Sequence, residues 1–245
     1  MTAIGLLAAK GSPGVTTLAA AMVLARGGVG TAVVEADRAG GDLALLHAVP
    51  QSPGLAELAA RARRAAVDDD LLSAHLRPLA DGMLPSLLAP VDAAGAGAAL
   101  DLLADRARLL ALPDPAHTLV IDLGRVDPAS PAAGWLRLCD LLVLVTRGEL
   151  TGLAHTQALA RSLLDSSRPL GFALIDTGPY PPADAEAALD LPCVGVLPYA
   201  PKHAARLRDP RHIAAAASSQ LVSAAGALFD TVIARRNRQE VLAQK

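Results

Sequence analysis

One short segment near the amino terminus combines residue types that can hold a phosphate group. It runs from Ala9 to Thr17 and reads A-K-G-S-P-G-V-T-T. An apolar, strand-like segment, Ile4 to Ala8, precedes it, and an alanine- and leucine-rich segment of helical character, Leu18 to Ala25, follows it. In a strand, loop and helix of this order, the loop amides and the positive end of the helix dipole can hold an anion together. The segment therefore predicts an anion-binding loop.

Two residues of this loop depart from the general phosphate-loop pattern G-x-x-x-x-G-K-[ST]. Val15 stands where the pattern has lysine, and Ala9 stands at the first glycine. In addition, Pro13 has no N–H group to turn toward a phosphate. Loss of the lysine alone is expected to weaken nucleotide binding about tenfold to a hundredfold, because a hydrogen bond to a charged group contributes roughly 1.5 to 3 kcal/mol.

The loop resembles the deviant Walker A motif, K-G-G-x-G-K-T-T, of the MinD/ParA family of P-loop ATPases. The resemblance implies that Lys10 is the signature lysine, which reaches across a homodimer interface to the nucleotide of the partner. It also implies that the loop binds ATP through Lys10, Gly11, Ser12, Gly14, Val15, Thr16 and Thr17. A tight turn before a buried helix is the alternative interpretation of the same residues.

Acidic residues follow two further strand-like segments, at the position where parallel sheets bind ligands. The segment Thr31 to Glu35 leads to Asp37, and the segment Thr118 to Leu123 contains Asp122. The resemblance implies that Glu35 and Asp37 form the switch I motif, with Asp37 orienting the attacking water. It implies that Asp122 is the Walker B acid, which holds Mg²⁺ through a water while Thr16 is a direct ligand.

The base of the nucleotide is expected near two later segments. A strand from Leu170 to Ile175 ends at Asp176, where the family commonly has an asparagine that touches adenine. A carboxylate accepts from the amino group of adenine but also suits guanine, so GTP remains an alternative to ATP, and a simple loop acid is the third interpretation. Pro198 follows the strand Cys193 to Leu197 and resembles the family's loop beside the base.

A second stretch points to one branch of the family. The segment Gly41 to Leu46, with the Pro53-Gly54-Leu55 that follows, resembles the TadZ/CpaE proteins, which position Tad pili. Members of that branch often have a small residue in place of the Walker lysine, as Val15 is here. Independently of the resemblance, Asp42 is expected to cap a helix.

Composition limits the class of protein. With 245 residues, 52% of them hydrophobic and 2% aromatic, the chain is expected to form one α/β domain, residues 1–245, with a core of alanine, leucine and valine. A net charge of -2 excludes a generally basic protein but allows a local basic patch. No apolar run approaches the roughly 18 residues of a membrane span, so a cytoplasmic location is expected. The cysteines and histidines show no metal-ligand spacing.

The predicted fold is a mostly parallel, twisted sheet with helices on both faces. Strands are predicted at 4–8, 31–35, 83–89, 118–123, 139–146, 170–175 and 193–197. Helices are predicted over 54–76, with a restart at Asp68, over 93–112, before the stop at Pro113, and over 213–235. The last helix carries an apolar stripe and is expected to pack against the sheet.

Three functions are consistent with these features. The first is a homodimeric positioning protein of the TadZ/CpaE type, a weak or inactive ATPase that recruits a protein partner. The second is an active ParA-like ATPase that partitions DNA or another cargo, in which Arg206, Arg208, Arg235 and Arg236 would contact the DNA backbone. The third is a scaffold that has lost nucleotide binding.

Overall fold

The computed structural model describes residues 2–104, 117–126, 133–163, 168–176 and 178–243. In this part of the chain the strands are β1 (Thr2–Ala8), β2 (Thr31–Glu35), β3 (Arg77–Leu79), β4 (Leu84–Leu87), β5 (Thr118–Arg125), β6 (Leu141–Thr146), β7 (Leu170–Ile175) and β8 (Cys193–Leu197). The helices are α1 (Val15–Ala25), α2 (Leu43–Leu46), α3 (Leu55–Ala62), α4 (Asp69–His75), α5 (Ala93–Ala104), α6 (Ala133–Leu136), α7 (Leu150–Leu163), α8 (Pro182–Leu189), α9 (Pro201–Leu207), α10 (Ile213–Ala216) and α11 (Gln220–Ala243).

The strands form one sheet in the order β3-β4-β2-β5-β1-β6-β7-β8. Every neighbouring pair is parallel except β3 with β4. Parallel strands end at the same edge, so the segments that follow β1, β2, β5, β6, β7 and β8 all lie along one side of the sheet. The register places Asp122 of β5 beside Glu35 of β2 and Leu6 of β1.

Helices cover both faces of the sheet, because successive side chains of each strand point to opposite sides. In β1, Ala3 and Leu7 join one buried cluster with residues of α3, α5, α7 and α8. The alternate residues Ile4, Leu6 and Ala8 join a second cluster with residues of α1, α9 and α11. The predicted fold class is therefore confirmed.

Helix α1 is enclosed on nearly all sides. Eight of its eleven residues are buried, most of them alanine, leucine or valine. It packs between the sheet and α11, and the small side chains allow a close approach: a Cβ on Gly226 of α11 would lie 3.1 Å from Ala25 Cβ. A helix that is apolar all round is a buried helix, as the composition of this segment requires.

The carboxyl-terminal helix differs from its prediction. The expected helix at 213–235 is divided into α10 and α11, which begins at Gln220. The break falls at Ser219, whose hydroxyl accepts a hydrogen bond of 3.3 Å from the Val222 amide and so caps a new helix. The predicted apolar stripe is buried as expected, through Leu221, Ala225, Leu228, Phe229 and Val232.

Two further differences concern the sheet and the helix after it. Strand β3 was not expected, because it has only three residues and one of them is Pro78, which suits an edge strand. Helix α5 begins at Ala93 as predicted, but residues 105–112 and the stop at Pro113 lie outside the described residues. Among the described helices, none has the length and hydropathy needed to cross a bilayer.

Phe172 provides a test of the core, since aromatic residues are scarce in this protein. It lies in the middle of β7 and is 0% exposed, whereas Tyr199 is 59% exposed. We expect Phe172→Ala to lower the free energy of unfolding by about 3–5 kcal/mol, because it leaves a cavity. Tyr199→Ala, the matched control, should change it by less than about 1 kcal/mol. Urea unfolding followed by the fluorescence of buried Trp135 measures both, and equal effects would contradict the packing.

Candidate functional site

The loop before α1 has the backbone geometry of an anion-binding turn. Gly14 has φ 110° and ψ 34°, in the left-handed region that favours glycine, and α1 starts at the next residue. Among the residues that the structure describes, no side chain caps the first turn of α1. The amides of Val15, Thr16 and Thr17 therefore have no capping acceptor and remain available, together with the helix dipole, for a bound anion.

Thr16 and Asp122 are brought together as the sequence predicted. Asp122 is 2% exposed near the end of β5, and its Oδ1 accepts a hydrogen bond of 3.0 Å from the Gly124 amide. The Thr16 side chain, in the first turn of α1, lies near enough to Asp122 to lower its pKa through a hydrogen-bonding interaction. Burial raises the pKa of Asp122 to about 6, although these two hydrogen bonds lower it.

This pair fits a magnesium ion that is bound together with a phosphate. Mg²⁺ usually takes one or two protein oxygens, completes its shell with water and substrate phosphate, and does not need an all-protein cage. Within the described ranges, no group of three or more His, Cys, Asp or Glu side chains could hold a metal ion by itself. Thr16 and Asp122 would therefore bind the ion only in the presence of a phosphate ligand.

Asp37 lies against the same turn. Its carboxylate accepts a hydrogen bond of 2.8 Å from the Ala39 amide and contacts Gly124 so closely that a Cβ on this glycine would overlap it. Gly124 has φ 56°, so both the space and the backbone require glycine. Burial raises the pKa of Asp37, and the charge of Arg125 lowers it. Asp37 and Asp122 are thus connected through one residue.

Glu35, the first acid of the predicted switch motif, has a structural role in this conformation. It is 2% exposed, and its Oε1 accepts hydrogen bonds from the amides of Asp42 at 2.8 Å and Leu43 at 2.9 Å. Its Oε2 accepts one from the Ala89 amide at 3.0 Å. Glu35 therefore joins the start of α2 to the segment after β4. Asp42, which was expected to cap α2, makes no side-chain cap.

Lys10, Gly11 and Ser12 are exposed on the loop. Lys10 lines a cavity of about 470 Å³ between the loop and the start of α7, with Arg147 and His155 on the other side. Among the residues that the structure describes, Lys10 has no hydrogen-bond or ion-pair partner. Its ammonium group is therefore free to reach a ligand or another chain.

Val15 does not face either cavity beside the loop. It is 6% exposed and belongs to the same buried cluster as Ile4, Leu6 and Leu18. Its side chain therefore contributes to packing under α1, and only its backbone amide is placed to contact an anion. The positive charge that a lysine would bring to this position must come from elsewhere in the site.

A second cavity, of about 420 Å³, joins the loop to the segment after β8. Ser12, Gly14 and Thr17 line one end of it, and Pro198 and Tyr199 line the other. Pro198, which was expected beside the base, therefore lines a cavity that reaches the loop. The lining between these ends is largely apolar, which suits the ring system of a nucleotide base.

Asp176 does not line either of the two cavities beside the loop. It is exposed after β7 with φ 64° and lines a separate cavity of about 170 Å³. Arg147 and Tyr199 line both this cavity and the 420 Å³ cavity, and the Arg147 guanidinium lies 5.3 Å from the centroid of the Tyr199 ring. The Arg147–Tyr199 stack thus borders both cavities.

Three residues of the site were not assigned to it from the sequence. Arg147, Tyr199 and Arg208 line the 420 Å³ cavity, and Arg208 Nη2 donates a hydrogen bond of 3.2 Å to Thr17 Oγ1. Arg147 follows β6 directly and Tyr199 is two residues past β8, so a survey of residues after each parallel strand would have found both. Arg208 lies at the far end of α9, and no sequence signal placed it at the loop.

Comparisons with known proteins identify the fold. No protein-family model matches the sequence, and a search of curated proteins finds no match. A ParA family ATPase from Chlorobium tepidum TLS matches with a TM-score of 0.75 and 17% identity, over 93% of this chain and 98% of that chain. The cell division ATPase MinD of Pyrococcus furiosus matches with a TM-score of 0.74 and 22% identity, over 94% and 98%. The septum site-determining protein MinD of Pyrococcus horikoshii OT3, complexed with Mg-ADP, matches with a TM-score of 0.73 and 21% identity, over 94% and 95%.

These similarities show that the chain has the P-loop fold of the MinD/ParA ATPases. The resemblance read from the loop at residues 9–17 is thereby confirmed at the level of the fold. The role of each residue in this chain is a separate matter, which depends on the geometry described above.

Glu35 gives the site a pH dependence that can be measured. Burial raises its pKa from 4.5 to about 7, although its three backbone hydrogen bonds lower it. The folded protein thus retains this proton to a higher pH than the unfolded chain, so the free energy of unfolding should fall by about 3 kcal/mol as the pH rises through this interval. Urea unfolding between pH 4.5 and 7.5 measures the decrease.

Glu35→Gln is the matched variant for this measurement, because it keeps an acceptor oxygen but cannot ionise. Its free energy of unfolding should decrease less steeply over the same pH interval, since the contribution of Glu35 is removed and those of Asp37 and Asp122 remain. A wild-type stability that increases with pH would show that the hydrogen bonds outweigh burial at this carboxyl group.

Proposed function

We propose that this protein binds ATP with Mg²⁺ and acts as a MinD/ParA-like positioning protein. The observation that supports this most directly is the joint placement of the open first turn of α1, behind Gly14, and the Thr16–Asp122 pair. Gly14 and the amides of Val15, Thr16 and Thr17 form an anion cradle, and the Thr16 hydroxyl connects this cradle to the buried carboxylate of Asp122. A phosphate bound with its metal ion requires this arrangement. The solved MinD structure with Mg-ADP has the same fold, which adds support.

ATP hydrolysis by this chain is expected to be weak or absent. Val15 brings no charge to the phosphates, and the loop has one N–H donor fewer because Pro13 carries no amide hydrogen. Asp37, the residue expected to orient water, already accepts a hydrogen bond of 2.8 Å from the Ala39 amide, which occupies one of its acceptor positions. These features favour a protein whose nucleotide state determines what it binds.

A homodimer is part of the proposal. The exposed and unpaired Lys10, beside a cavity of about 470 Å³, is suited to reach the nucleotide of a facing subunit. The nucleotide state would then control dimer formation and, through it, the recruitment of a protein partner. We assign the partner assembly to the Tad pilus type because the segment Gly41 to Leu46 resembles the TadZ/CpaE branch.

The DNA-partitioning alternative has less support from the geometry. Of the four arginines assigned to a DNA surface, Arg208 lines the cavity beside the loop. A protein that partitions DNA should bind duplex DNA at low salt, with an affinity that falls steeply as salt is added.

Calorimetry with ATP, ADP and GTP, with and without Mg²⁺, tests the proposed function. We expect measurable ATP binding that Mg²⁺ strengthens, because Thr16 and Asp122 bind the ion together with the phosphates. Tight GTP binding with weak ATP binding would assign Asp176 to a guanine base. The absence of binding by all three nucleotides would leave the scaffold interpretation and refute the proposal.

Lys10→Ala tests the signature lysine. We expect ATP affinity to fall about tenfold or more, since a charge-assisted hydrogen bond to a phosphate is lost. Lys202→Ala is the matched control, because Lys202 is also exposed but lines none of the cavities described above. Calorimetry gives the affinity, and sedimentation with ATP shows whether dimer formation is lost in parallel. Equal affinities for the two variants would refute the role of Lys10.

Val15→Lys tests whether the loop is arranged around a phosphate. Lysine at the first position of α1 should raise ATP affinity about tenfold or produce measurable turnover, because its apolar stem can replace the buried packing of valine while the longer chain extends past it and brings the ammonium to the loop. Val29→Lys, at a valine that is 82% exposed, adds the same charge away from the loop. Nucleotide binding and phosphate release measure the effect, and an unchanged response would contradict the cradle.

A further inference from the structure

We propose that Arg208 supplies, within the same subunit, the positive charge that Val15 does not bring to the nucleotide phosphates. This inference rests on the proposed function and adds a phosphate-binding residue to it. Arg208 Nη2 lies 3.2 Å from Thr17 Oγ1, in the first turn of α1, and both residues line the 420 Å³ cavity with Ser12 and Gly14. The guanidinium group is therefore already at the cradle in this conformation.

The position of Arg208 is determined by the buried residue before it. Leu207, the last residue of α9, is 2% exposed and belongs to the same core cluster as Val15 and Leu18. Helix α9 is thus held beside α1, and its C-cap residue, Arg208, projects from a fixed backbone position to the loop. Such anchoring reduces the entropy that an arginine loses when it binds a ligand.

Arg208 has no acidic partner among the residues that the structure describes. Its neighbour in the chain, Asp209, accepts hydrogen bonds from Arg211 Nη2 at 3.0 Å and contacts His212 Nδ1 at 2.9 Å. These contacts hold the pKa of Asp209 well below its usual range. Because Asp209 is engaged in this way, Arg208 retains a free charge for an anion.

The chemistry of the group matches that of a phosphate. A guanidinium group presents a planar fork of donors that can bind two phosphate oxygens at once, which an ammonium group cannot do. An oxyanion held by the first amides of α1 would lie beside Thr17 and so within reach of the donor that now contacts its hydroxyl. The ligand expected here is a nucleoside di- or triphosphate.

The other cations near the loop are less suited to this role within one subunit. Arg38 and Arg125 line a cavity with Asp37, on the side of β2 and β5, and Arg38 is already bonded to Asp101. Arg147 lies over the Tyr199 ring at 5.3 Å, where it borders the apolar part of the cavity. Lys10 lines the opposite cavity, between the loop and α7, and does not line the one that contains Thr17. Among the residues that the structure describes, Arg208 is therefore the cation that hydrogen-bonds to the first turn of α1.

Arg208→Ala and Arg206→Ala form a matched pair for the test. Both arginines are exposed and lie within two residues of each other, but Arg206 does not line the cavity. Calorimetry with ADP, ATP and adenosine separates phosphate from base recognition. We expect Arg208→Ala to weaken ADP and ATP binding tenfold or more and adenosine binding less than twofold. Arg206→Ala should change all three less than twofold, and Arg208→Lys should be intermediate.

The protein concentration distinguishes this role from that of Lys10. If a residue acts within its own subunit, its substitution weakens nucleotide binding equally at protein concentrations below and above dimer formation. If the residue reaches the nucleotide of the partner, its substitution weakens binding only above dimer formation. We therefore expect the tenfold loss in Arg208→Ala at both concentrations. A loss that appears only in the dimer would overturn the assignment to the same subunit.

A double variant tests whether the arginine replaces the missing lysine. If both cations serve the same phosphates, Val15→Lys should raise ADP affinity more in the Arg208→Ala background than in the wild-type background. Equal gains in the two backgrounds would show independent sites and overturn the inference.

If wild-type protein binds ADP and Arg208→Ala behaves as Arg206→Ala does, the inference fails while the proposed function stands. If wild-type protein binds no nucleotide, both fail.

Discussion

The burial of α1 between the sheet and α11 determines where the loop lies. Eight of its eleven residues are buried, so the helix cannot rotate or shift without exposing apolar surface or creating voids. Its first turn is therefore held at the carboxyl edge of the sheet, next to the end of β5. The small side chains of α1 each bury little surface, but they allow α11 to approach it closely.

Three acidic groups near the loop lie on one side of it. Glu35, Asp37 and Asp122 lie on the side of β2 and β5, and burial raises the pKa of each carboxyl group. Lys10, Arg147 and Arg208 lie on the other side, along the cavities formed with α7 and α9, whereas Arg38 and Arg125 lie with the acids. A polyphosphate with a divalent ion has the complementary arrangement, because the metal needs the acids and the phosphate oxygens need the cations.

The sequence predicted the features that depend on local pattern. Continuous apolar runs identified the seven long strands, and the order of strand, loop and helix identified the cradle, because these signals come from neighbouring residues. The pairing of Thr16 with Asp122 was implied by the resemblance to the MinD/ParA family, and it agrees with the rule that parallel strands end at one edge. Features that depend on distant contacts were not predicted. Glu35 binds amides seven, eight and 54 residues away, and Arg208 bonds to a hydroxyl 191 residues away.

The same distinction explains why the carboxyl-terminal helix is divided, although it was predicted as one continuous helix. The predicted helix at 213–235 had a continuous apolar stripe, but a hydroxyl at Ser219 competes for the Val222 amide and starts a new helix there. The apolar stripe was predicted correctly, and a single hydrogen bond to a side chain determined where the last helix begins.

Strand β3 limits how copies of this fold can assemble. It is the outermost strand on one side of the sheet, it has three residues, and Pro78 at its centre has no amide hydrogen to offer. A neighbouring chain therefore finds a poor template there for continued strand addition, the route by which exposed sheet edges give rise to fibrils. On this side of the molecule, association must proceed through side chains of helices and loops, where charge and shape can select the partner.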